Sequence, residues 1–190
     1  MRTKDDQKKE ALFEATVKLV NEIGFAASSV SKIAKEANVS PSTLYVFFKN
    51  KEDLLVSTYV ELKMDLSRAM LDRFDAALPI RDILKNTWFS MFDYITHHSQ
   101  YYQFMEQFAN SPYSELVDKE ALEKHFIPLI EVMHRGIEQK IIKAVDINLL
   151  AAFLFHPLTR LANPRLCHGW EMTAEDLEVA FGMTWDAIRL

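Results

Sequence analysis

An all-α fold follows from three features of the 190-residue sequence: only 4 Gly and 6 Pro interrupt it, the stretches between them repeat apolar residues at three- and four-residue spacings, and capping residues stand at the heads of several stretches. An all-β chain of this length would need far more turn residues. About nine helices are expected, divided between a small N-terminal module and a larger helical one. With 49% hydrophobic and 26% charged residues, the chain buries enough apolar surface to offset the entropy of ordering, which excludes a disordered tail.

Residues 5–23 place Leu12, Ala15, Leu19 and Ile23 on one stripe, and Gly24 is expected to end this first helix. Ser29 is the expected N-cap of a short second helix with Val30, Ile33, Ala34 and Ala37 inward. In Asn38-Val39-Ser40-Pro41, Asn tolerates a left-handed turn, Ser caps a third helix and Pro takes its first position. That helix, about residues 41–48, buries Leu44 and Phe48 and turns Ser42, Thr43, Tyr45 and Val46 at least partly outward. Asn50 caps a fourth, long helix reaching about Phe74.

After Pro79, the wide apolar arc of Ile83, Leu84, Trp88, Met91, Phe92 and Ile95 predicts a helix covered on more than one side. A shorter helix carries Tyr101, Tyr102, Phe104, Met105 and Phe108. Past Ser111-Pro112 a long helix is expected to about Ile142, bent at Pro128. The chain restarts near Asp146 with Leu149, Leu150, Phe153, Leu154, Leu158 and Leu161, an almost all-round apolar helix that must be buried within the subunit or between two; Pro157 is expected to kink it and Pro164 to end or distort it. Thr173-Ala-Glu-Asp176 reads as a capping box opening a last helix with Leu177, Phe181, Trp185 and Ile188 on one face.

Charge distribution narrows the partner class. The formal net charge is -5, yet residues 28–51 hold Lys32, Lys35, Lys49 and Lys51 against Glu36 alone, a local excess of +3. Lys32 and Lys35 suit an ordinary solvated face as well as a DNA contact. Ala34 in one short helix, a turn at Asn38 and Val39, and a buried Leu44 in the next have the spacing that lets two helices cross steeply. The second can then enter a major groove, about 12 Å wide, and read it with side chains near its N-terminus: Ser42, Thr43 and Val46.

The stretch SSVSKIAKEANVSPSTLYVFFKNKEDLL resembles the DNA-binding region of the TetR family of bacterial regulators, and the likeness runs from about residue 8 to 60. Weaker similarity in helix order, including SPYSELV and RGIEQKII, extends it over most of the chain. The resemblance implies that Thr43 and Tyr45 reach phosphates, that Ser42 and Val46 approach base edges, that Lys51 holds the DNA backbone, and that Ser29 directs free amides toward another phosphate. The full DNA-facing set it implies is Ser29, Lys32, Ser40, Ser42, Thr43, Tyr45, Val46, Phe47, Lys49 and Lys51. Two positions depart from the family pattern: Asn38 stands where Gly is common, and Phe47, where His or Tyr is common, is left to touch a thymine methyl or to pack.

Family resemblance further implies a DNA-binding domain over residues 1–50 and a ligand-binding and dimerisation domain over 51–190, with a homodimer formed by the last two helices. The expected partners are a palindromic double-stranded DNA operator and a small, largely apolar effector that releases the repressor, the helix from Lys51 being the mechanical link. Candidate effector-lining residues are Trp88, Phe92, Phe104, Phe108, Met133 and Phe153, with Glu106 and His134 as polar contacts, although aromatics at helical spacing also suit plain core positions.

No cofactor, catalytic residue or metal is expected on this reading. Two rivals from other classes are a helical-bundle metalloenzyme built on Glu131-Val-Met-His134, whose E-x-x-H spacing lacks the second copy a di-iron bundle needs, and a thiol redox sensor using Cys167. Cys167 is the one cysteine, so an internal disulfide is excluded and a reducing compartment fits. No apolar run approaches the ~20 residues that span a bilayer, and MRTKDDQKKE lacks a signal peptide's apolar core, so a cytoplasmic location is expected.

Overall fold

The computed structural model describes residues 4–163 and 172–190; Pro164 and Cys167 lie outside them. The helices are α1 (Lys4–Ala27), α2 (Val30–Glu36), α3 (Pro41–Phe47), α4 (Lys51–Leu71), α5 (Ile80–His97), α6 (Ser99–Ala109), α7 (Lys119–Glu123), α8 (Ile127–Glu138), α9 (Ile147–Leu161) and α10 (Ala174–Ile188). Nine have seven residues or more and α7 is a five-residue turn, so the all-α reading with about nine helices holds among the described residues. One isolated bridge, Ile142 with Arg189, is the nearest approach to a strand there.

The helix ends form where capping chemistry places them. Ser29 Oγ accepts from the Lys32 amide, Ser40 Oγ from the Thr43 amide, Asn50 Oδ1 from the Asp53 amide and Asp146 Oδ1 from the Asn148 amide. At α10, Thr173 and Asp176 complete a reciprocal capping box. Gly24 leaves the helical region at φ 77°, ψ 168°, and a further turn resumes through Ala27.

The chain divides into two compact units. The first comprises residues up to Lys63 together with Gln100–Lys119, and the second Met64–Ser99 with Glu120–Leu190. In the first, Leu12, Ala15, Leu19, Ile33, Ala37, Leu44, Phe48 and Leu54 form one buried cluster. Ile23, expected on this stripe, is 43% exposed. Thr16, Val17 and Val20 are buried instead, because α1 is covered on a second side and Gly24 breaks the helix directly after Ile23.

α5 is the centre of the second unit and packs against α8, α9 and α10. Its Ile83, Leu84, Trp88, Met91 and Ile95 are buried and Phe92 is half-buried. The single long helix expected between Pro112 and Ile142 does not form. A 3-10 turn (Pro112–Leu116), α7, a second 3-10 turn (Lys124–Phe126) and α8 replace it. Pro112 and Pro128 each occupy a first-turn position, where the missing N–H costs nothing, so proline starts these segments rather than bending one helix. α9 continues through Pro157.

Behind α8, Gly136 allows a close return of the chain. A Cβ there would stand 3.0 Å from both Cδ1 and Cγ1 of Ile142. The amides of Ile141 and Ile142 both donate to the Gly136 carbonyl, and Lys143 N–H and Leu190 N–H then tie this segment to the C-terminal strand-like pair.

Candidate nucleic-acid interface

Two short helices and the turn between them are held from below by apolar packing. Ile33 and Ala34 of α2 and Leu44 of α3 are fully buried, and Phe48, just past the end of α3, packs its ring 5.7 Å from that of Phe13. Asn38 adopts φ 54°, the left-handed conformation its side chain tolerates, and the Val39 amide returns to the Ala34 carbonyl at 2.9 Å. Ser40 then caps α3 and Pro41 fills its first turn.

With Leu44 anchored inside, the first turn of α3 faces outward. Ser40, Ser42 and Thr43 share a hydroxyl cluster: Ser40 Oγ lies 2.7 Å from Ser42 Oγ and 2.9 Å from Thr43 Oγ1. Tyr45 is 57% exposed and Val46 77%, which leaves an amphipathic aromatic and a bare methyl pair on the same outer face. Ser29, Lys32 and Lys49 are exposed as well, so the structure brings together most of the residues expected to contact DNA.

Three residues of that set also make contacts within the protein. Phe47 packs against the buried cluster and touches the Phe48 ring at 6.4 Å, so much of its surface serves packing. Lys51 Nζ donates to the carbonyl of Phe25 at the end of α1. Lys32 Nζ likewise donates to the Ala27 carbonyl at 3.1 Å while remaining exposed. Glu36, the lone acid of the basic window, pairs with Lys18 of α1, and this contact holds the Lys18 ammonium above its ordinary value. The pairing leaves the positive excess near α3 less opposed.

The effector candidates separate between the two units. Phe104 and Phe108 are fully buried in the first, within an aromatic group with Phe25, Tyr59 and Tyr113; the Tyr59 ring stacks on Phe108 at 4.4 Å. Glu106, exposed on α6, accepts from the Tyr102 hydroxyl at 3.0 Å. It also opposes the burial that pulls the Lys63 ammonium below its ordinary value.

In the second unit Trp88 is fully buried, with its indole N–H donated to the Leu154 carbonyl at 3.0 Å, and Met133 is buried. Phe92 stacks beside Trp88. His134 and Glu131 occupy the exposed side of α8, and Phe153 is 54% exposed on α9. Among the described residues no group of three or more His, Cys, Asp or Glu side chains is placed to hold a metal ion, and no helix is long and apolar enough to cross a membrane.

Sequence patterns do not reveal Asn21, Gln100 and Gln107, which join α1 to α6. Asn21 Nδ2 donates to the Gln100 carbonyl at 2.8 Å and to its side-chain oxygen at 3.0 Å, while Gln107 Nε2 donates to Asn21 Oδ1 at 2.8 Å. A nearby link runs from the Tyr101 hydroxyl to Glu14. No local spacing signals pairs so distant in sequence.

Comparison with known proteins agrees with this geometry. The family described as "Bacterial regulatory proteins, tetR family" matches residues 8–58, and "Tetracyclin repressor-like, C-terminal domain" matches residues 79–189. A crystallised TetR family transcription regulator from Marinobacter aquaeolei VT8 is 34% identical, with a TM-score of 0.91 over 100% of this chain and 99% of that one. The uncharacterized HTH-type transcriptional regulator YhgD of Bacillus subtilis (strain 168) is 25% identical over 148 residues, 76% of each chain. The transcriptional regulator FadR of Bacillus subtilis, crystallised in complex with stearoyl-CoA, shares the fold with a TM-score of 0.73 at 20% identity, over 93% of this chain and 95% of that one. With a family match covering more than half its length and a reading helix presented as described, the chain belongs to the TetR family of bacterial transcriptional regulators.

Proposed function

We propose that this regulator reads a palindromic duplex operator as a homodimer, inserting the first turn of α3 into the major groove, and that it represses transcription until a small, largely apolar effector releases it. The observation that carries the reading is the outward first turn of α3, with Leu44 buried beneath it and Ser42, Thr43, Tyr45 and Val46 turned away from the core. Ser42 and Val46 face base edges, and Thr43, Tyr45, Lys49 and the amides behind Ser29 face phosphates. Residues 1–50 form the reading module on this proposal, and 51–190 carry dimerisation and effector response, in the cytoplasm.

Dimerisation is supported by what α9 and α10 leave uncovered. Leu149 and Phe153 on α9, and Val179 and Met183 on α10, are 49%, 54%, 58% and 70% exposed. Gly182 lies beside Met183 with nothing within 4 Å of where a Cβ would stand, which favours close approach of another helix. A two-fold contact over this face would cover apolar side chains otherwise in water. Phe153 then serves the subunit contact, and effector response falls to Trp88, Phe92 and Met133 within the second unit; the stearoyl-CoA complex of FadR supports an effector with a long apolar part.

The proposal is tested by fluorescence anisotropy of labelled duplexes from the genomic neighbourhood of the gene, with sedimentation of the free protein. A dimer that binds one fragment in preference to the rest is the expected result. A protein that ignores all of them contradicts DNA reading.

A further inference from the structure

We propose that Lys51 is a positioning residue for DNA reading, acting through the Phe25 carbonyl rather than by gripping a phosphate. This rests on the DNA-reading proposal above. Lys51 opens α4, directly after the segment that follows the reading helix, and its part-buried ammonium is held by the Phe25 carbonyl. Phe25 lies one residue beyond Gly24, where α1 departs from helical geometry, so its carbonyl stands in the turn that follows the break and accepts the Lys51 ammonium there.

Phe25 is itself held in place from a third direction. Its ring lies 5.4 Å from Tyr113, 6.0 Å from Phe104 and 6.2 Å from Phe108. The ring of Phe25 thus sets where its carbonyl stands, and the carbonyl sets where α4 begins. The other end of this stretch of α4 is fixed to the same group, since Tyr59 stacks on Phe108. Because only Phe48, Lys49 and Asn50 connect α3 to α4, and the Lys49 amide donates to Asp53 within α4 at 2.8 Å, a displaced start of α4 displaces the reading helix.

The two roles of Lys51 separate by salt dependence and by coupling. If its ammonium gripped a phosphate, Lys51→Met would lower the log-log salt slope of binding by roughly 0.9. A positioning role weakens binding at unchanged slope. The measurement is the affinity of wild type, Lys51→Met, Phe25→Leu and the double variant for the duplex that wild type selects from a randomised library, across a salt series and well below each variant's melting temperature.

Each single variant is expected to bind about tenfold more weakly with the wild-type slope, and the double variant no more than about threefold more weakly again, because both disrupt one interaction. A slope reduced by roughly 0.9 in Lys51→Met, or single-variant effects that multiply, or an unaffected Lys51→Met, overturns the proposal. Should Lys51→Met fail to fold, Phe25→Leu decides alone: Phe25 is no phosphate ligand, so wild-type affinity in that variant refutes the relay. If wild type selects no duplex, DNA reading itself fails, an outcome distinct from every other.

Discussion

Gln107 donates its side-chain amide to Oδ1 of Asn21 at 2.8 Å, across 86 residues of sequence. Asn21 spends its own amide on Gln100, so a single side chain of α1 is engaged with both the first and third turns of α6. Asn21→Ala removes all of these bonds and leaves the Gln107 amide without this acceptor. The expected cost is about 1–2 kcal/mol, read as a lower urea midpoint at unchanged m-value. A shift below about 0.5 kcal/mol would show that water substitutes fully for these bonds.

Neighbouring positions on α3 should behave oppositely. Leu44→Ala empties a fully buried site under the reading helix and is expected to cost about 2–5 kcal/mol. Val46→Ala, at 77% exposure, should change stability by no more than about 0.5 kcal/mol. Chemical denaturation of both variants checks this; similar destabilisation at the two sites would mean that Val46 packs rather than faces outward.

Gly136 should tolerate no side chain. Alanine there places its methyl 3.0 Å from Ile142, whose own side chain is fully buried and has little room to yield. Gly136→Ala is therefore expected to destabilise by about 1–3 kcal/mol despite the better helix propensity of alanine. A raised melting temperature would contradict the tight return behind α8.

A charge on the uncovered face of α10 should break the proposed dimer. Met183→Glu is expected to convert a sedimenting dimer to a folded monomer with unchanged helical circular dichroism, since the side chain is 70% exposed in the subunit. Persistence of the dimer would move its interface elsewhere.

Acid should weaken the cap of α10. Hydrogen bonds from the Thr173 amide and hydroxyl hold the Asp176 carboxyl below its ordinary value of 3.8. The folded state thus favours the charged form, and the resulting stability is present above the unfolded value and lost as pH falls through the lower folded one. Asp176→Asn should flatten this acid limb. An identical decline in melting temperature below about pH 4 for wild type and variant would remove the capping box from the pH response.

What the sequence discloses is local. Ser29, Asn38, Ser40, Pro41 and Asn50 act within four residues of themselves, and each forms the cap or turn its chemistry favours. Burial is legible where one helix face meets one core, as for Ile33 and Leu44, and not where a helix is covered on two sides, as for Thr16, Val17 and Val20 of α1. Pro128 misleads because the same residue suits a helix start and a bend, and only its neighbours decide. The bonds of Asn21 with α6, and of Lys51 with Phe25, join residues 26 or more apart, where no periodicity speaks.

Selection of bound duplexes from a randomised library, run in parallel with wild type and Val46→Ala, tests reading by α3 most directly. The wild-type dimer should enrich a two-fold symmetric site whose half-sites lie about one DNA turn apart, roughly 34–36 Å, and Val46→Ala should relax the preference at one position in each half. Enrichment of the same site with the same preferences by both proteins, or of none by wild type, would show that the exposed turn of α3 does not lie against the bases.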